Sequence, residues 1–207
     1  MTTRYTALTA TQLRDKLGHP DPPALDKILD HLDSASRTFL AHSPFCCIAT
    51  SDAAGTCDCS PRGDYPGFIR ALDAHTLVMP DRLGNKLADS FTNILDNGHI
   101  GLVCFVPGMI ETLRVDGTAY ITDDPDLLSM LEQDGTPPVL ATVVDIQQVY
   151  LHCGRALLRS RLWDPEMQDL ATQVPTAGAM WAAASGLGDD IGREIDAASA
   201  EGYRTLY

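Results

Sequence analysis

Two cations sit where a strand-like run gives way to a helical pattern in an otherwise acidic chain. In "MPDRLGNKLADSFTNIL", residues 79–95, Arg82 and Lys86 flank Gly84 and Asn85. A small anion could be bound there by the local cations and by backbone N–H groups. The plainer alternative is that Arg82 and Lys86, four residues apart, only solvate a first turn. Cations there oppose the helix dipole, which makes them a poor choice for stability alone.

A second candidate is "SPRGDYPGF", residues 60–68, where two prolines and two glycines in nine residues interrupt a regular strand and turn backbone amides outwards. Its plainer alternative is a tight turn with an Arg62–Asp64 surface pair. Further along, "HCGRALLRSRLW" sets His152 beside Cys153. A His-Cys pair suggests a nucleophile, but neighbours on a strand point to opposite faces and cannot easily act on each other. No catalytic acid, base or nucleophile is assigned.

The elements that must position these residues follow from composition and pattern. At 207 residues with 44% hydrophobic content, the chain can bury a core as one domain with a modest appendage. A net charge of −13 argues against nucleic-acid or acidic-membrane partners, while a small anion held by local cations stays possible. Neither a leader-like apolar run nor a membrane-spanning stretch is present in the pattern, so the cytoplasm is the expected compartment. The six cysteines (46, 47, 57, 59, 104 and 153) lack a C-x₂-C zinc spacing. They are expected as buried reduced thiols with no metal assigned, although Cys57 and Cys59 would share a strand face.

Residues 1–24 read as an arm with a short helical piece. Leu25, Ile28, Leu29, Leu32, Phe39 and Leu40 predict one amphipathic helix before Pro44. "FCCIATSDAAGTCDCSP" reads as two strands around a turn at 52–56, and "FIRALDAHTLVMP" as a hairpin turning near Asp73–Ala74. After the helix ending at Asn97–Gly98 come a hairpin through Pro107–Gly108, a short helix capped by Asp124, and a long strand in "PVLATVVDIQQVYLHC". A helix before Pro165 and weaker helices in 166–207 complete the order. Sequential hairpins with helices between them mean antiparallel pairing and an α+β domain, plausibly a closed barrel.

The blocks "PFCCIATSDAAG", "SPRGDYPGF", "MPDRLGNKLADSFTNILDN", "IGLVCFVPG", "ETLRVDGTAY" and "VYLHCGRALLRSRLW" occur in that order over roughly residues 25–165. Together they resemble the pyridoxamine 5′-phosphate oxidase-like flavoproteins, the FMN-binding split barrels. That resemblance implies a six-stranded antiparallel split β-barrel with flanking helices over 25–165 and a C-terminal helical extension over 166–207. It also implies a homodimer with FMN in a groove between subunits. On it, Arg82, Asn85 and Lys86 become the FMN phosphate clamp, helped by the free N–H groups of a helix starting near Leu83, with Gly84 letting the backbone come close to the phosphate oxygens. A phosphate dianion leaving water needs such charge-assisted donors, each worth roughly 1.5–3 kcal/mol. Ser60, Arg62, Gly63 and Asp64 become cofactor or substrate contacts, with Arg62 near the phosphate or the N1–C2 carbonyl edge, where reduced flavin gathers negative charge. Pro80 and Asp81 would set backbone against the flavin ring, and Thr112 would face a ring heteroatom. Arg114, two residues on, would share its strand face or serve as an ion-pair partner. Arg159 and Trp163 would cover the flavin from the partner subunit.

The implied activity is FMN-dependent hydride transfer to or from a small substrate, with a nicotinamide as a possible donor. A non-catalytic flavin or haem carrier or sensor, and a deazaflavin-dependent reductase, are the alternatives on the same fold. The R-x-V-x-L-K strand and the R-L-x-P stretch of the pyridoxal-phosphate-forming enzymes are missing, which counts against vitamin B6 oxidation.

Overall fold

The computed structural model describes residues 5–207. In the arm, Thr9 and Gln12 form a capping box for α1 (Ala10–Leu17). The single amphipathic helix expected over residues 25–40 is instead two. Pro22 opens α2 (Pro22–Asp26), and Asp33 caps α3 (Ser34–Ala41) by accepting the Ser36 N–H at 2.7 Å. Between them Leu29 exchanges two backbone hydrogen bonds with Val149, at 2.8 and 3.0 Å, so a strand partner takes the groups that a helix would have used.

The remaining order is β1 (Phe45–Ser51), β2 (Cys57–Gly63), β3 (Arg70–Ala71), β4 (Thr76–Pro80), α4 (Asp89–Asn97), β5 (His99–Phe105), β6 (Thr112–Thr122), α5 (Pro125–Met130), β7 (Ala141–His152) and α6 (Arg155–Ser160). A 3-10 stretch (Pro165–Gln173), α7 (Ala177–Ala184) and α8 (Asp189–Gly202) follow. The α+β class, the antiparallel pairing and this element order agree with the sequence pattern. The strand count departs from the six of the resemblance, because Arg70–Ala71 pairs with β4 as a short seventh strand.

Every pairing is antiparallel, in the order β2-β1-β5-β6-β7-β4-β3. Alternate residues point into one core, which includes Ile48 of β1, Leu102 of β5, Leu113 and Val115 of β6, Val149 of β7 and Leu77 of β4. A flat sheet would hold β1 and β4, four places apart, nearly 20 Å from each other at about 4.8 Å per strand. Sharing a core requires the sheet to curl, and Phe39 and Leu40 of α3 with Ile94 of α4 fill what remains. The longest ladder, β6 with β7, shifts register at Asp116/Gly117, where a Cβ would lie 2.1 Å from the Asp145 carbonyl oxygen. Only glycine lets the two strands approach there.

Candidate active site at the split of the barrel

The curl sets the edge strand β2 across from the end of β4, past its short pairing with the other edge strand β3, and a cavity of about 600 Å³ lies between them. The β2 side brings Asp58, Ser60, Arg62 and Gly63, and the end of β4 brings Pro80. The loop of residues 81–88 and the first turn of α4 roof it, and residues 136–140 complete the wall.

That loop corrects one expectation. The helix begins at Asp89, not near Leu83. Asn85 accepts the Leu87 N–H through its side-chain oxygen at 3.0 Å, a local bond that competes with helical turns. Lys86 and Ala88 then adopt left-handed backbone, at φ 61° and 60°, which non-glycine residues seldom do. Leu83 and Leu87, whose spacing suggested a packed helical face, are 67% and 68% exposed and line the cavity. The donors of the helix start are therefore at Ala88–Phe91, six residues later than the expected start near Leu83, and still on the cavity.

Arg82 is committed on one edge. Its Nε donates to Asp64 Oδ2 at 2.6 Å and its Nη2 to the Leu131 carbonyl at 2.8 Å. The side chains of this ion pair are 16% and 1% exposed. Because Asp64 follows β2 and Arg82 follows β4, the pair clasps the two lips of the split. Arg82 retains unused N–H groups, since a guanidinium has five. Arg62 donates to Ser60 Oγ at 2.5 Å and to the Pro61 carbonyl at 2.8 Å. It does not pair with Asp64, so the surface pair weighed as an alternative does not form. Among the described residues Lys86 has no hydrogen-bond or ion-pair partner, which leaves its ammonium available to a ligand.

Carboxylates balance these cations. Asp58 accepts the Ser90 hydroxyl at 2.6 Å. Asp81 is held above the usual carboxylate range by burial, with Arg62 and Arg82 pulling the other way. Donors, an uncommitted cation and apolar walls (Phe68, Leu83, Leu87, Phe91, Val139) make a site for a flat organic group bearing an anionic end.

Of the residues singled out in the sequence, Ser60, Arg62, Gly63, Pro80, Asp81, Arg82, Asn85 and Lys86 come together on this cavity, and Asp64 stands behind Arg82. Thr112, Arg159 and Trp163 do not line it. Thr112 is buried at the start of β6 opposite His152, Arg159 is exposed on α6, and the Trp163 Nε1–H donates to the Met109 carbonyl at 2.7 Å. Arg114 pairs with Asp116 at 3.0 Å and lies over the Tyr150 ring, which is the ion-pair alternative raised for it. Cys46 and Cys104 are buried as a facing pair, and Cys47 is half-buried. Cys57, Cys59 and Cys153 are exposed, against the expectation that the thiols would be buried.

The sequence reading missed Asp58, Ser90, the 136–140 wall and Tyr207. The Tyr207 hydroxyl donates to Asp64 Oδ1 at 2.5 Å, and its ring stacks on Tyr65 and under the Arg82 guanidinium. Burial and the Asp64 carboxylate push this phenol up to about 12. No local pattern marks residue 207, because its partners are far away in the chain.

The model of the pyridoxamine 5′-phosphate oxidase family matches residues 32–153, which spans the whole sheet and most of the cavity; the chain belongs to that family. Among solved structures it is similar to HupZ of Group A Streptococcus (16% identity, TM-score 0.48, covering 59% of this chain and 98% of that one). It is also similar to a putative pyridoxamine 5′-phosphate oxidase from Lactobacillus delbrueckii (22%, TM-score 0.46, 59% and 95%). A third is HutZ, the haem storage protein of Vibrio cholerae (15%, TM-score 0.42, 58% and 94%). No curated protein matches the chain. Among the described residues no helix is long and apolar enough to cross a membrane.

Proposed function

We propose that the chain is an FMN-dependent oxidoreductase that passes hydride between bound flavin and a small organic substrate, working as a cytoplasmic homodimer. The observation that carries this is the cavity at the split, where Arg62, Arg82, Lys86 and the start of α4 meet apolar walls. Its volume falls within the roughly 300–1,000 Å³ typical of small-molecule sites. Lys86, Asn85, Arg62 and the unused N–H groups of Arg82 would hold the phosphate, and Leu83, Leu87 and Phe91 would flank the ring system. When bound, FMN supplies the hydride chemistry. The protein excludes water from the ring system with its apolar walls. Asp81, its charge disfavoured by burial, is the cavity carboxyl best disposed to carry a proton.

Flavin is favoured over haem because the cavity lining contains no His, Cys or Met among the described residues, and its Tyr207 hydroxyl is occupied by Asp64. A second copy as partner has support from the outer sheet face. There Phe45, 40% exposed, stands opposite Phe105 at 5.9 Å between ring centroids, with Ala49 and Cys59 exposed nearby. An apolar stripe on a sheet is what an isologous dimer covers. In that dimer Arg159 and Trp163 would reach the partner's cavity, whereas the burial of Thr112 leaves it a packing role.

The test is the visible spectrum of the purified protein and mass spectrometry of the released chromophore, followed by anaerobic addition of a nicotinamide donor. FMN that bleaches supports the reading. A haem band, or colourless protein that takes up only a deazaflavin, overturns the cofactor assignment; bound FMN inert to every reductant overturns the enzyme. The double variant Arg62→Ala/Lys86→Ala should lose at least about a hundredfold in FMN affinity, from two charge-assisted contacts of roughly 1.5–3 kcal/mol each, while riboflavin binding changes little.

A further inference from the structure

Tyr207 is held by three contacts, two of them with the pair that clasps the split. Its hydroxyl donates to Asp64 Oδ1, its ring lies 5.3 Å from the Arg82 guanidinium carbon, and it stacks on Tyr65 at 6.3 Å with the planes 8° apart. Its neighbours in the segment after α8 point elsewhere: Tyr203 is 73% exposed and Leu206 63%. Packing of residues 203–206 thus gives no account of why Tyr207 turns inwards.

The bonding around Asp64 gives one. Oδ1 accepts both the Tyr65 N–H, at 2.7 Å, and the Tyr207 hydroxyl, while Oδ2 accepts Arg82 Nε. With both oxygens engaged, the carboxylate is fixed in direction. A fixed carboxylate and the Leu131 carbonyl hold two points on one edge of the guanidinium, and its central carbon lies over the Tyr207 ring. A planar group anchored at two edge points beside a ring has little freedom to turn, so the directions of its other N–H groups are restricted. Arg82 and Tyr207 both line the cavity.

We propose that Tyr207 is a positioning residue of the anion end of the cavity. It acts through Asp64 and Arg82, orienting the free N–H groups of Arg82 toward a phosphate. Ordering those donors before the ligand arrives removes an entropic cost that binding would otherwise carry. The flavin arm of the test below rests on the FMN reading above; the phosphate arm does not.

The anion site is read without flavin by titrating inorganic phosphate against the Arg82 Nε–H resonance of the ¹⁵N-labelled 207-residue chain, assigned with Arg82→Met. Wild type should show a saturable shift. Tyr207→Ala should bind phosphate on the order of tenfold more weakly, and Tyr207→Phe, which keeps the ring and loses the hydroxyl, about threefold. In parallel, the ratio of FMN to riboflavin affinity, measured by flavin fluorescence quenching, should fall in the same order while riboflavin affinity stays put. A merely structural tyrosine would weaken both flavins equally. If Tyr207→Ala does not fold, the Phe variant, with the same shape, carries the test. Phosphate affinity unchanged in the variants, or absent in wild type, overturns the role of Tyr207. Wild type that binds phosphate at Arg82 and neither flavin overturns the FMN reading alone.

Discussion

The Arg82–Asp64 pair gives the most direct test of how the split is held. Arg82→Met removes the charge and both hydrogen bonds while keeping an unbranched apolar side chain. What remains is the Asp64 carboxylate, 1% exposed, with Oδ2 stripped of its donor and only Oδ1 still bonded to Tyr65 and Tyr207. Leaving one member of a buried ion pair without its partner costs about 3–5 kcal/mol. For a domain of this size each kcal/mol moves the melting temperature by about 2–4 °C, so the variant should melt roughly 6–20 °C lower. The assay is thermal and urea unfolding of the flavin-free protein followed by circular dichroism, which keeps cofactor linkage out of the result. Asp64→Asn/Arg82→Met, with no orphaned charge, should recover a large part of the loss, and the cycle gives the coupling. Arg204→Met serves as the control, since the Arg204–Glu201 pair is 76% and 70% exposed and should leave the transition unmoved. An Arg82→Met transition within about 2 °C of wild type would mean that the pair behaves as an exposed one and that the split is not clasped there.

Asp81 yields a pH dependence. Burial raises its carboxyl in the fold, so the folded state holds this proton more tightly and ionisation works against folding as pH climbs from the unfolded value, about 3.9, through the folded one. The melting-temperature advantage of Asp81→Asn over wild type should therefore be larger at pH 7 than at pH 3.5, and an equal difference at both refutes the assignment. On the sheet face, if the proposed homodimer forms there, Phe45→Glu should give a monomer in analytical ultracentrifugation and leave the melt of that monomer intact. A wild-type protein that is monomeric while holding flavin would remove the shared-groove geometry.

The element order was legible because it is written in short-range patterns. Period-2 runs marked the strands, Asp124 with Pro125 marked α5, and Asn97–Gly98 marked the stop of α4, where Gly98 is left-handed at φ 72°. The same patterns misled where a distant group intervened. Leu25 to Leu40 scans as one helix, yet the backbone of Leu29 pairs with Val149, 120 residues away. Leu83 and Leu87 scan as a packed face, but Asn85 bonds the Leu87 amide and holds residues 81–88 as a loop.

By itself the sequence determined the antiparallel α+β class and the two cationic glycine-containing segments that meet at the cavity, since each depends on side-chain type and spacing within a few residues, and it pointed to the family through the order of six such blocks. Only the tertiary structure decided that Arg82 clasps Asp64 while Arg62 does not, that Ser90 bonds Asp58, and that Tyr207 turns back onto a carboxylate 143 positions earlier. The physical reason is closure. Where a curled sheet brings its two ends together is set by the summed twist and packing of all its strands, and no local window of the chain contains that sum.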